Sequence, residues 1–183
     1  LDGGILVISI EQFATQVATD TEKLILAQKP RGLIFDLRGN PGGLFSEAVD
    51  LCDLFLDSGL IVTSIGRDPE SAETFYARGN LIAGNIPIAI VIDQDTASAA
   101  EIVTGALRDR QRARVFGQRS YGKGSVQRAI DLSDGSGLKL TVARYITPSG
   151  RIIEKHGVDP DEVVEKSDKG DLVLASAEKW VRA

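Results

Sequence analysis

Ile86-Pro87-Ile88-Ala89-Ile90-Val91-Ile92 is the most hydrophobic run of the chain, and together with the segment after it, Asp93 to Phe116, it decides the fold. The run is rich in β-branched residues and too short for a buried helix, so it reads as a strand covered on both faces. A polar turn, Asp93 to Thr96, comes next, then a helical pattern over Ala99–Asp109 and a further short strand at Ala113–Phe116. Strand, covering helix and strand make the repeating unit of a parallel sheet. The same alternation extends upstream. Ile5–Ile10 reads as a strand, and Glu11–Gln28 as a helix with Phe13, Val17, Leu24 and Ile25 on one face. Gly32–Leu37 reads as a buried strand, Leu44–Leu56 as an amphipathic helix and Leu60–Ile65 as a strand, followed by a polar connection. Downstream the pattern changes: Ser125–Leu132 and Leu138–Ile146 read as strands joined by the turn Ser133–Gly137. A terminal helix is expected over Asp171–Val181, with Asp171 as its N-cap. The expected fold class is α/β: one domain over residues 1–183, with a largely parallel central sheet, covering helices and antiparallel additions.

Composition narrows the function classes. The 183 residues suffice for one well-cored domain, and 43% hydrophobic with 26% charged residues is an ordinary globular balance. A net charge of −5 and a pI near 5.0 argue against a nucleic-acid partner, which needs a concentrated basic face. The densest basic stretch, Arg108 to Arg114, is interrupted by Asp109 and reads as a solvated helix end. No apolar run approaches the roughly 18 residues of a membrane span. One cysteine, Cys52, excludes an internal disulfide framework and a multi-cysteine metal site, and its apolar neighbours mark it as a small buried hydrophobe. The chain holds no Met and does not begin with one, which fits a core segment of a longer polypeptide.

Three segments could carry chemistry. Ser98 opens a helix straight after the strongest strand, in Thr96–Ile102 (TASAAEI). Locally, Ser-x-x-Glu before an apolar run reads first as a capping box formed with Glu101. The functional reading is a hydroxyl presented at the carboxyl edge of the sheet, where α/β ligand sites lie, with the Ala99 N–H beside it. Asp36–Gly43 (DLRGNPGG) is a glycine-rich turn between a strand and a helix. Its free N–H groups suit an oxyanion hole, a phosphate cradle or a plain tight turn. Gly117–Ser125 (GQRSYGKGS) nearly fits a phosphate-binding loop, but Gly124 stands where the magnesium-binding hydroxyl belongs, and a strand follows instead of a helix. A lysine flanked by glycines, Lys123, suggests instead an ammonium packed by backbone, whose burial lowers its pKa toward that of a base. The only histidine, His156, lies in a polar turn and reads as an exposed loop residue. A hydrolase built on this chain would therefore not take histidine as its base, and a second histidine for zinc is lacking.

Five ordered segments together resemble the C-terminal (tail-specific) processing peptidases: DLRGNPGG at 36–43, TASAAEIVTGALRD at 96–109, YGKGSVQ at 121–127, LKLTVARYITPSG at 138–150 and GVDPD at 157–161. The resemblance implies a crotonase/ClpP-like core and a serine endopeptidase acting near the C-termini of unfolded or extended polypeptides. It assigns Ser98 as nucleophile, Lys123 as general base and Gln127 as the residue orienting that lysine. The oxyanion donors would be the backbone N–H groups of Ala99 and Gly42, with Gly43 the alternative. Neither cofactor nor metal is implied, and the partner is a polypeptide substrate. Ala100 departs from the family, where many members carry a small hydroxyl residue. The family also carries a PDZ domain and a helical segment upstream of Gly3-Gly4-Ile5, so the chain reads as the catalytic core of an exported protein, periplasmic or lumenal in a thylakoid. Two rivals share the fold: apolar-ligand binders resembling interphotoreceptor retinoid-binding proteins, and acyl-CoA enzymes of the crotonase type. Neither accounts for Ser98, Lys123 and Gln127 together.

Overall fold

In a computed structural model the chain runs β1 (Ile5–Ser9), α1 (Val17–Gln28), β2 (Gly32–Asp36), α2 (Phe45–Asp53), β3 (Leu60–Gly66), β4 (Glu73–Tyr76) and β5 (Ile88–Ile92). It continues with α3 (Ala99–Asp109), β6 (Arg114–Gly117), β7 (Ser125–Asp131), β8 (Gly137–Ile146), β9 (Glu162–Val163) and α4 (Leu172–Arg182). The structure describes residues 3–68, 70, 72–165 and 170–183, apart from the side chain of Arg128. One sheet has the order β1-β2-β5-β6-β9 and every pairing in it is parallel. The second, β4-β3-β8-β7, is antiparallel.

β5 is buried along its whole length, because helices cover both faces of the parallel sheet. Ile88, Ile90 and Ile92 pack with Leu33, Phe35 and Val115 into the larger core, which takes in the buried residues of α1, α2 and α3. Ala89 and Val91 point the other way, with Ile34 and Phe116, onto Val173, Ala177 and Val181 of α4. α4 begins where the sequence indicates: the Asp171 side chain accepts from Leu174 N–H, and Arg38 ties the same carboxylate to the turn after β2. The second sheet is fastened to α2 by aromatic packing, with Phe45 stacked on Tyr145 at 5.1 Å and edge-on to Phe75 at 4.8 Å.

Several expectations need correcting. The helix expected from Glu11 begins only at Val17. Phe13 is instead extended: its N–H donates to Gly42 O and its carbonyl accepts from Leu44 N–H, so the glycine-rich turn claims the backbone that a helix would need. Leu24 is exposed, while Ile25 is buried as expected. The polar connection after β3 contains β4, which folds back antiparallel on β3 and leaves little periodic signal in four residues. β9 is likewise too short to read. The basic stretch is no solvated helix end. Arg108 pairs with Asp161 at 2.7 Å, and half-buried Arg112 donates to the carbonyls of Phe55, Gly84 and Ile86. Cys52 is fully buried.

Candidate active site

The turns carrying the three chemical segments leave the carboxyl ends of β2, β5 and β6, which are consecutive neighbours in the parallel sheet. They therefore emerge side by side on one edge. Backbone and side-chain bonds lock the first two turns together. Ala97 N–H donates to Asn40 O at 2.8 Å, Gly39 N–H to Asp93 Oδ1 at 2.9 Å, and Thr96 Oγ1 to Leu37 O at 2.9 Å. Asn40 is itself buried, with Nδ2 donating to Ile10 O and Oδ1 accepting from Gly42 N–H. The remaining turn joins through Tyr121 N–H, which donates to Thr96 O at 2.9 Å.

Ser98 sits at φ 56°, ψ −116°, a conformation that a residue with a Cβ rarely adopts. Such strain costs of order 1–3 kcal/mol and persists only where the surroundings over-determine it. Here the Glu101 carboxylate accepts from Ser98 N–H at 2.8 Å, and the capping box expected between Ser98 and Glu101 is present. Gly42 lies directly against this turn: a Cβ added to it would stand 2.7 Å from Ser98 Cβ, 2.9 Å from Ala97 O and 2.9 Å from Ala99 N. The absence of a side chain at 42 is what allows the two turns to touch. Among the described residues, Ala99 N–H and Gly43 N–H have no hydrogen-bond acceptor. Gly42 N–H is spent on Asn40 Oδ1, at 2.8 Å. In this state the glycine turn thus offers a free N–H at Gly43, the alternative position, and not at Gly42.

Glu101 also reaches the lysine turn. Its carboxylate accepts from Gly122 N–H at 2.6 Å and Lys123 N–H at 2.8 Å, and from the Ser120 hydroxyl at 2.5 Å. The glycines around Lys123 have a physical reason: a Cβ on Gly122 or Gly124 would run into the backbone of residues 153–157. The lysine side chain does not share that enclosure. It is exposed, which corrects the expectation of a backbone-packed ammonium: the close backbone lies against the flanking glycines. Gln127, in β7 next to a bulge, is exposed as well. Among the described residues, no hydrogen bond joins Lys123 Nζ to Ser98 Oγ or to the Gln127 side chain. The structure brings together the backbones of Ser98, Gly42, Ala99 and Lys123, and leaves the Lys123 and Gln127 side chains in solvent.

His156 is exposed, with Nδ1 bonded to Glu154 O at 2.8 Å. It borders an open cleft of about 530 Å³ with Arg119, Arg151 and Asp159. No group of three or more His, Cys, Asp or Glu able to hold a metal occurs among the described residues.

Residues 4–164 match the model of peptidase family S41. A carboxy-terminal-processing protease of Bartonella bacilliformis is 44% identical over 147 residues, 80% of this chain and 34% of that protein. A carboxyl-terminal-processing protease of Synechocystis is 45% identical over 135 residues, 74% of this chain and 31% of that protein. This chain thus spans about a third of these relatives' length. Among solved structures, a photosystem II D1 C-terminal processing protease superposes with a TM-score of 0.82 at 34% identity, covering 90% of this chain and 44% of that one. With the sheet, the three converging turns and these matches in agreement, the chain belongs to peptidase family S41.

Proposed function

We propose that the chain is the catalytic core of a serine endopeptidase that cleaves extended polypeptides near their C-termini, with Ser98 as nucleophile and Lys123 as general base. The observation that carries this reading is the setting of Ser98: a strained turn at a helix start, with the unpaired Ala99 N–H beside it and Gly42 packed against its Cβ. A hydroxyl held out of regular geometry next to free N–H groups is the arrangement acyl transfer uses. The names of the relatives support the substrate class.

In the proposed reaction neutral Lys123, oriented by Gln127, takes the proton of Ser98 Oγ as that oxygen bonds to the scissile carbonyl carbon. The tetrahedral oxyanion accepts hydrogen bonds from Ala99 N–H and the glycine turn, through Gly43 as it stands or Gly42 once released from Asn40. Removing one such donor typically costs ~10²–10³ in rate. Collapse breaks the C–N bond, and the Lys123 ammonium protonates the departing amine. Water, deprotonated by Lys123, then attacks the ester, and Ser98 recovers its proton. Because the lysine is exposed in this state, the reaction requires it to turn onto Ser98 Oγ under a bound polypeptide, which supplies the desolvation a neutral lysine needs. Segments outside this chain, including an upstream peptide-binding domain, would hold that polypeptide. An exported location belongs to the same reading. Among the described residues no helix is long and apolar enough to cross a membrane.

The test is hydrolysis of an unstructured protein such as casein by the intact protein and its Ser98→Ala variant. Loss of hydrolysis in a folded variant supports the reading, and retained hydrolysis refutes it. The apolar-ligand and acyl-CoA alternatives predict no hydrolysis by either.

A further inference from the structure

Glu101 does more than a capping residue requires. A cap needs one bond, to Ser98 N–H; this carboxylate takes four. Oε2 accepts from Ser98 N–H and Lys123 N–H, both at 2.8 Å, and Oε1 from Ser120 Oγ–H at 2.5 Å and Gly122 N–H at 2.6 Å. The residue is fully buried, and every one of its hydrogen-bond donors is neutral. Burying an unpaired carboxylate costs several kcal/mol, far more than the ~1 kcal/mol a cap contributes. What offsets it is charge-assisted bonding from both turns at once, together with the positive end of α3. Since both nitrogens hold one oxygen, Ser98 N and Lys123 N can be no further apart than twice 2.8 Å. The clamp extends further through Ser120, whose hydroxyl accepts from Val158 N–H at 2.7 Å.

We infer that Glu101 is a positioning residue for the reaction: one buried carboxylate sets the nucleophile turn and the lysine turn in register. This rests on the Ser98/Lys123 reading. Glu101 touches no reacting atom; it fixes where each catalytic side chain starts. Ser98 is held in its strained φ by the bond to its N–H, and the Lys123 backbone is held beside it, leaving the lysine side chain free to swing onto the hydroxyl. A shift of ~1 Å between groups so placed typically costs ~10²-fold in rate. The neighbouring charged groups that enclose the lysine turn are Glu154, whose Oε2 accepts from Gly124 N–H at 2.9 Å, with Lys155 and His156 on the same segment and Arg144 paired across from Ser125. None of them bonds to Glu101.

The experiment is Glu101→Gln in the intact protein, assayed on casein beside the parent and Lys123→Ala. Glutamine keeps the size but turns an NH₂ toward two of the four donors, so either the lysine turn loses two of its three bonds to this side chain or both turns lose the oxygen they share. Expected, per folded molecule, is a fall in kcat of roughly 10–10²-fold with KM changed by no more than about twofold, and a comparable slowing of Ser98 labelling by a fluorophosphonate. A residue that only stabilises the fold would lower the melting temperature and leave kcat and the labelling rate of the folded fraction untouched, which overturns the proposal. If Glu101→Gln does not fold, Ser120→Ala removes one donor from the carboxylate and, with it, the acceptor of Val158 N–H. About tenfold lower kcat at unchanged KM supports the clamp, and parent-like kcat refutes it. Lys123→Ala separates the two claims: activity in that variant overturns the Ser/Lys reading itself. An inactive Lys123→Ala beside a parent-like Glu101→Gln overturns the clamp alone.

Discussion

Replacing Gly42 by alanine tests the contact on which the oxyanion geometry depends. Two costs arise. The backbone cost comes from φ +100°, where an L side chain is strained by roughly 1–2 kcal/mol. The steric cost comes from a Cβ placed 2.7–2.9 Å from Ser98 Cβ, Ala97 O and Ala99 N, where ordinary contact begins at 3.4 Å. The Ser98 turn must retreat by about half an ångström or more. Since ~1 Å of misplacement costs ~10²-fold, the expected loss in kcat for casein hydrolysis is about 10–10²-fold. Gly39→Ala is the control: φ is +68°, with nothing within 4 Å of the added Cβ, so it pays the backbone cost without pushing on Ser98. At ~2–4 °C per kcal/mol for a domain of this size, both variants should lose a few degrees of melting temperature. Only Gly42→Ala should lose activity beyond its loss of folded protein. Equal kcat in the two folded variants would refute the reasoning.

Buried and capping groups give two further outcomes. Burial, with a smaller contribution from Asp53, pushes the Cys52 thiol well above the usual thiol range, so iodoacetamide at pH 8 should modify the native protein only as fast as it unfolds; rapid labelling of the folded state would contradict the buried placement. The Arg38 guanidinium holds the Asp171 carboxyl below the usual carboxylate range, so this pair stabilises the fold above about pH 4 and the contribution is lost as pH falls through the depressed folded value. Asp171→Asn keeps the cap but not the charge; at pH 7 it should cost about 0.2–1 kcal/mol, a difference that closes in acid. A gap that persists at pH 2 would rule out the ion pair as its source.

The parallel sheet was legible because β5 and its helix carry unmixed signals: a continuous β-branched run, a polar turn and an apolar period ending at Asp109. Where local pattern and tertiary bonding disagreed, tertiary bonding prevailed. Phe13 has helical spacing to Val17 but lends its backbone to Gly42 and Leu44, and Arg112 looks solvated until its guanidinium meets three carbonyls. The chemical segments were readable as motifs, and their meeting on one edge follows from the β2-β5-β6 order. Side-chain placement was not readable. Glycines flanking Lys123 signal close backbone, but not which side of the turn the lysine takes. Glu101 showed itself only as a cap, because its other donors lie 19 to 22 residues away on a separate turn.

The most direct test of the Ser98/Lys123 assignment is casein hydrolysis by the intact protein carrying Lys123→Arg, measured with its folded fraction matched to the parent. Arginine keeps the charge and reach but stays protonated at any accessible pH, so it cannot take the Ser98 proton. Hydrolysis by Lys123→Arg should fall to the level of Ser98→Ala. Hydrolysis near the parent level would make Lys123 a fixed positive charge and contradict its role as base.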